Sequence, residues 1–429
     1  MTSRLPVRGV VLSIACLFLG AGALPAIDPG YPTTGPDVTV SVIWDLASYG
    51  EADGYLGYTV GTTSCNIGTV PVNWCDDAGG CDGVLSDEQH PVIAQGIYRL
   101  KAGRLQQVGM SWLKHGFVST NSDEAPCKQG TLCQGPPLGG NQLGVGCNDT
   151  YWATLNGNRP LGKRSEVNPT TGAFPFPYGF VGSSGPYQQR VKVAVTEIDP
   201  DQNPGALYWA EGQYVSDNDA LNGNGLNNAT HQSISVDPGT LDIALQGSVI
   251  RERSAIHAWR AADATVEMYN VNVPGTPPQR FELARRVSVV DGDTWRYEYA
   301  IRNMNSDRAA NSFAVDFPNG TPITNTGFSD IEHHSGEPYA TTDWNVTVSA
   351  LNGTVTWGTD SFATDPNANA LRWATMFNFW FDADAPPQSA VHALGLFKPG
   401  SPINMTFTIP LFADGFEAHN LTAWASVTP

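Results

Sequence analysis

Alternation of apolar and polar positions runs through most of this chain. Val38, Val40, Val42 and Trp44 alternate with Thr39, Ser41 and Ile43, the two-residue period of a strand. Apolar-rich stretches at 92–100 and 105–112 flank Lys101, Ala102, Gly103 and Arg104, which predicts a hairpin with a four-residue connection. Val191, Val193 and Val195 alternate with Lys192, Ala194 and Thr196, which predicts a strand reaching Ile198. From residue 265 onward such strands recur at short intervals. In one of them Trp295, Tyr297, Tyr299 and Ile301 face one way and Arg296, Glu298 and Arg302 the other, a buried face and a wet face. Residues 371–381 are apolar on both faces and predict a central strand. The helical candidate is short, 254–262, with Ser254 as its N-cap.

The stretch 121–184 has turn residues in place of a period, yet it carries Tyr151, Trp152, Phe174, Phe176, Tyr178 and Phe180. It reads as ordered but irregular. The expected fold is mostly β: a disulfide-pinned irregular β region over 27–262, then a C-terminal antiparallel β-sandwich of immunoglobulin-like or jelly-roll type over 263–411.

The ends of the chain change the picture. Arg4 and Arg8 precede an apolar run, 9–19, and small residues follow up to Ala26. That is the grammar of a secretory signal peptide over 1–26, and the run is too short to span a bilayer. No later stretch is long and apolar enough either, so no transmembrane segment is expected after signal removal. Residues 412–429 form a separate tail containing Asp414, Gly415, Phe416 and Glu417, then Ala423 and Trp424.

Export gives the cysteines a meaning. Cys16 falls in the signal, leaving Cys65, Cys75, Cys81, Cys127, Cys133 and Cys147, an even set that an oxidising space converts to disulfides. Six cysteines allow 15 pairings, and the connectivity stays open. Short loops suggest Cys75–Cys81 and Cys127–Cys133, with Cys65–Cys147 as the long closure. The 41 acidic and 23 basic residues give a formal charge of −18, which repels phosphate backbones and argues against nucleic acid as a partner.

Familiar catalytic signatures are missing: there is no H-E-x-x-H and no G-x-S-x-G. The strongest chemical cluster is Asp330, Glu332, His333 and His334, imidazoles and carboxylates crowded on one segment as a transition metal such as copper requires, with His115 as a distant third ligand. Asp199, Asp201 and Asn203 space oxygens as at the start of a calcium loop, although Pro204 displaces the expected glycine. The competing reading of each is structural: histidines bonded to their own backbone, and ordinary turn residues.

Several runs carry a resemblance: Ser111-Trp-Leu-Lys-His-Gly-Phe117; Gly144-Val-Gly-Cys147 with Asp149 and Tyr151; Ser165-Glu-Val-Asn-Pro169; His334-Ser-Gly-Glu-Pro-Tyr339; and Asn367-Ala-Asn-Ala-Leu-Arg-Trp373. They are similar to a group of uncharacterised exported bacterial proteins, and the tail resembles segments that end many such proteins. The resemblance implies export and a shared fold, and no activity. The expected function is that of a secreted or surface-displayed β-sandwich protein that binds or builds extracellular material, its partner an extracellular polymer or cell-surface component. The alternative is a secreted metal-dependent enzyme, an oxidoreductase or a polysaccharide-acting hydrolase, centred on His333 and His334.

Overall fold

The computed structural model describes residues 34–409, apart from 76–80, 82–88, 126, 128–131, 159, 182–184, 335 and 350. The expected signal peptide and C-terminal tail lie outside the described residues. The protein is largely β-stranded. Its first half contains β1 (Val38–Ala52), β2 (Tyr55–Asn66), β3 (Val72–Asn73), β4 (Val92–Lys101), β5 (Arg104–Met110), β6 (Leu113–His115), β7 (Gln142–Leu143), β8 (Asn148–Tyr151), β9 (Leu161–Gly162), β10 (Phe180–Val181), β11 (Val191–Ala194), β12 (Leu207–Val215), β13 (Ala229–Val236) and β14 (Ile243–Leu245). Its second half contains β15 (Glu267–Val273), β16 (Gln279–Asp291), β17 (Thr294–Asn303), β18 (Ala310–Asp316), β19 (Ile323–Ser329), β20 (Asn345–Ser349), β21 (Thr354–Gly358), β22 (Met376–Ala383), β23 (Ala390–Leu396) and β24 (Asn404–Ile409).

The first half is chiefly one twelve-stranded antiparallel sheet with the main order β1-β2-β11-β5-β4-β12-β13-β14, beside a separate two-stranded sheet, β3-β7. It curls into a near-closed barrel, because β1 returns to β13. Thr230 Oγ1 donates to the Val40 carbonyl at 2.7 Å, and Thr39 Oγ1 donates to the Asn227 carbonyl at 2.9 Å. Ile43, Leu56, Tyr58, Val60, Ile97, Val191, Val193 and Ile234 fill its interior. The β4–β5 hairpin turns on two residues, Ala102 and Gly103, with Lys101 opposite Arg104, and not on the four expected. Both central residues have positive φ (50° and 83°), the tight turn that matches strand twist. The strand expected to reach Ile198 ends at Ala194, where a helical turn, Val195–Ile198, redirects the chain.

The second half holds two five-stranded antiparallel sheets, β15-β16-β17-β22-β19 and β20-β21-β18-β23-β24. They share one aromatic core, in which Tyr297, Tyr299, Phe377, Phe379 and Phe381 of one sheet meet Phe313 and Trp357 of the other. Each such ring contributes about 1.5–3 kcal/mol of burial. The apolar stretch around Phe377 is an interior strand, paired on both sides by β17 and β19.

The two halves are packed together. Tyr98 and Leu105 point out of the barrel onto Ala284, Ala300 and Met376. The short helix, His257–Ala262, adds Trp259 to this layer. Ser254 does not cap that helix; its hydroxyl donates to Glu282 Oε2.

Three disulfides pin the first half. Cys75 joins Cys81. The other four cysteines depart from the expected pairing: Cys65 joins Cys127 and Cys133 joins Cys147, in place of Cys127–Cys133 and Cys65–Cys147. The cause is the sheet. β2 pairs with β8, which sets Cys65 opposite Asn148, so Cys147 lies one residue off that register and turns to Cys133 instead. Among the described residues no helix is long and apolar enough to cross a membrane.

Candidate functional site

Beyond β19 the chain stays extended through Asp330, Ile331, Glu332 and His333, and its side chains alternate outward and inward. Ile331 and His333 are buried, Glu332 is exposed and Asp330 is half-buried. Asp330, Ile331 and Glu332 line a cleft of about 250 Å³ between this segment and the barrel sheet. Tyr55 of β2, Gln106 and Val108 of β5, Lys192 of β11 and Glu197 line the opposite wall.

Electrostatics distinguish these groups. Burial pushes the Asp330 carboxyl up to about 6, and the negative charges of Asp343 and Glu332 add to this, while a hydrogen bond from Asn369 pulls the other way. Glu197 pairs with Arg99 at 2.7 Å. The Lys192 ammonium lies 3.9 Å from the centre of the Tyr55 ring, a cation–π contact. Gln106 is held by Ser329 Oγ (2.9 Å) and Arg99 (3.0 Å). Carboxylates, an ammonium and a phenol on one wall system offer acceptors and donors to a hydroxylated or amide-bearing ligand.

The histidines do not join them. His334 Nε2 lies 2.9 Å from the Met110 carbonyl and 2.6 Å from the Arg190 carbonyl, so this nitrogen carries the proton and the ring clamps the segment to the barrel. Burial holds His334 down at about 4 and His333 at about 3. His333 packs edge-on to Tyr339, and neither of its ring nitrogens has a hydrogen-bond partner among the described residues. His115 is engaged elsewhere. Its Nδ1 meets His90 Nε2 at 2.9 Å, and its ring stacks on Tyr178 at 3.5 Å. His90 Nδ1 faces the Cys75 carbonyl at 3.1 Å, which fixes the tautomers: His115 donates to His90, and His90 donates to the carbonyl. Gly162 leaves room for the His115 ring, which a Cβ would strike. The expected ligand set of His333, His334, Asp330, Glu332 and His115 is thus divided among a cleft wall and two separate interiors. Among the described residues no three His, Cys, Asp or Glu side chains converge as a metal set.

The calcium-like spacing is also taken up by the protein itself. Asn203 Oδ1 accepts from Arg99 Nη1 and Lys101 Nζ, each at 2.8 Å. Two cations at one ligand oxygen are the opposite of what a calcium ion needs. Asp199 accepts from the Asp201 amide (2.9 Å) and from Gln202 Nε2 (2.8 Å), closing an Asx turn. These residues do not fit the ion.

Sequence reasoning missed the buried charges between the halves. Arg302 is fully buried and donates to Glu211 Oε1 (2.7 Å) and Gln213 Oε1 (2.7 Å). Tyr98 and the Ala255 amide also donate to Glu211. Glu282, beside Arg302, is held down at about 2 against its own burial by His257, Arg302 and Ser254. The face of β17 expected to be wet is therefore largely covered: Glu298 is buried and bonded to Arg104 at 2.8 Å. Arg164 lies in the same junction with its guanidinium on the Ser111 (2.5 Å) and Gln95 (3.1 Å) carbonyls, and burial pushes it down to about 10. Glu337 accepts the Arg164 and Ser165 amides at 2.7 and 3.2 Å, Trp373 Nε1 reaches the Arg164 carbonyl, and Ala340 N donates to the Asn367 carbonyl. Four of the five sequence runs that carry the resemblance meet at this one seam. No protein-family model matches the chain, and no curated protein is significantly similar to it.

Proposed function

We propose that this is a secreted or surface-displayed protein that binds an extracellular polymer, with the cleft between the barrel and the Asp330–His333 segment as its binding site. The observation that carries the reading is the cleft's lining. Asp330, Glu332, Glu197, Lys192 and Tyr55 line it, and the serine on its wall, Ser329, has its hydroxyl oxygen engaged by Gln106 with no histidine among the lining residues. Hydrogen-bonding groups around an open cleft favour recognition over bond-breaking. The signal-like N-terminus and the three disulfides support an oxidising destination. The test is co-sedimentation of purified protein with insoluble extracellular polymers, polysaccharide and protein alike. A Lys192→Ala, Glu332→Gln double variant should lose retention about tenfold, equivalent to about 1.4 kcal/mol. Retention unchanged by both substitutions sinks the reading.

One observation favours hydrolysis as a second reading. A carboxyl held at about 6 next to a second, exposed carboxylate is the arrangement of a general acid with a base or nucleophile. Asp330 would protonate a leaving glycosidic oxygen and Glu332 would serve the opposite face. This version needs neither His333 nor His334. Release of reducing ends near pH 5–6, abolished in Asp330→Asn, would establish it.

The facing sheets are of jelly-roll type on this reading, because consecutive strands alternate between them. β17 and β19 lie in one sheet and β18 in the other, then β21, β22 and β23 alternate again.

A further inference from the structure

Large aromatic side chains in this protein are mostly interior; Trp74, Trp259 and Trp357 are fully buried. Five of those that are not lie along the β1–β2 pair. Trp44 and Tyr49 on β1, Tyr55 on β2, Trp152, and Tyr187 belong to none of the hydrophobic cores, and Trp152 is 43% exposed. Their order follows from the β1–β2 pairing. Trp44 lies beside the Ile43–Thr62 pair and meets Trp152 at 5.4 Å. Tyr49 follows the Ser48–Tyr58 pair; its hydroxyl meets Thr59 Oγ1 at 3.3 Å, and the buried Arg190 guanidinium covers one face of its ring at 3.6 Å. Tyr55 ends the strand, 5.6 Å from Tyr187 and next to Lys192. Tyr55 is also in the cleft wall. From Thr62 to Tyr55 the strand covers about 23 Å at roughly 3.3 Å per residue.

The row is not purely apolar. Asp45 adjoins Trp44 and accepts the Ala153 amide at 2.8 Å, and Asp53 accepts the Tyr187 hydroxyl at 3.1 Å. Flat rings interleaved with acceptor carboxylates suit a ligand with both C–H faces and hydroxyl donors. The same carboxylates, with Glu197, Asp330 and Glu332 at the cleft end, outnumber Lys192 and Arg190 on this surface and, with a chain charge of −18, disfavour a polyanion.

We infer that the polymer is a neutral polysaccharide, whose pyranose rings lie along Trp152, Trp44, Tyr187 and Tyr55 and whose hydroxyls enter the Asp330–Glu332 cleft. The inference rests on the polymer-binding reading above and extends its site along the barrel. It predicts a strong dependence of affinity on chain length, because each further sugar gains another ring of the row.

The experiment is calorimetric titration of the disulfide-intact protein with cello-, xylo-, manno- and malto-hexaose, their trisaccharides, and hexagalacturonate, followed also by tryptophan fluorescence. At least one neutral hexasaccharide should bind about tenfold more tightly than its trisaccharide and shift the emission. Trp152→Ala and Tyr187→Ala, checked for unchanged melting temperature, should each weaken the hexasaccharide about tenfold and the trisaccharide less. Preference for hexagalacturonate overturns the inference, as does binding by no neutral member of the panel. So does hexasaccharide binding that survives both aromatic substitutions but is lost in Glu332→Gln; that last result leaves the cleft reading standing and removes only the aromatic row.

Discussion

His333 and His334 are neighbours in sequence with opposite consequences for stability. The His334 ring bonds two carbonyls from two separate barrel strands' ends, Met110 and Arg190. Its removal leaves both acceptors buried, and His334→Ala should destabilise the protein by about 2–3 kcal/mol. His333 makes no such bond among the described residues. A phenyl ring of similar shape removes two unsatisfied nitrogens, so His333→Phe should be neutral or stabilising within about 1 kcal/mol. Urea unfolding of the two variants decides the matter; equal losses would contradict this account. The sequence reading grouped Asp330 and Glu332 with His333 and His334 as one cluster, whereas in the structure burial alternates along the segment and divides them. What the sequence did not contain was the barrel on the inner side, which claims His334 by its backbone.

At the scale of a single element, β17 shows where periodicity stops being informative. Its two-residue period separates Tyr297, Tyr299 and Ile301 from Glu298 and Arg302, and the structure keeps that separation. The charged side is nevertheless buried, because β4, β5 and β12, some 90 to 200 residues earlier, cover it and bring Arg104, Tyr98 and Glu211 as partners. A pattern of charges reads the same whether water or a matching set of charges lies opposite. The disulfides follow a similar logic: closeness along the chain suggested Cys127–Cys133, but the β2–β8 register decided the outcome. Arg302 is the sensitive point of the element. Arg302→Ala leaves Glu211 a buried charge without its cation, and Glu282 with only His257 and Ser254 as partners, and should cost about 3–5 kcal/mol. Arg302→Met, tested in parallel with Glu211→Gln and Glu282→Gln, should recover much of that loss. A mild effect of Arg302→Ala alone in denaturant titration would show that the seam contributes little.

Across the whole molecule, burial of histidines predicts sensitivity to acid. His231, His334 and His392 are held at about 4, His333 at about 3, and His115 well below its ordinary value, each mainly by burial. A histidine depressed in the folded state binds fewer protons there than in the unfolded chain, whose value is near 6.5. Its stability contribution is complete above that pH and is lost as pH falls toward 4. Asp219, raised to about 7, and Asp330, raised to about 6, act in the opposite sense, since acid relieves their cost. Asp45, Asp149, Asp217 and Glu252 are raised in the same sense but less; the five histidines outweigh these carboxyls, and the melting temperature should fall between pH 6.5 and 4. A flat profile over that interval would refute the balance drawn here. The seam also has a meaning in time. A chain made from its N-terminus presents Tyr98, Leu105 and Glu211 long before Ala284, Ala300, Arg302 and Met376 have been added. The barrel's outer face must therefore wait, wet and unmatched, for strands from the far end of the chain. Completion of the seam waits on residues 284–376, and the exposed barrel face is most vulnerable to wrong contacts in that interval.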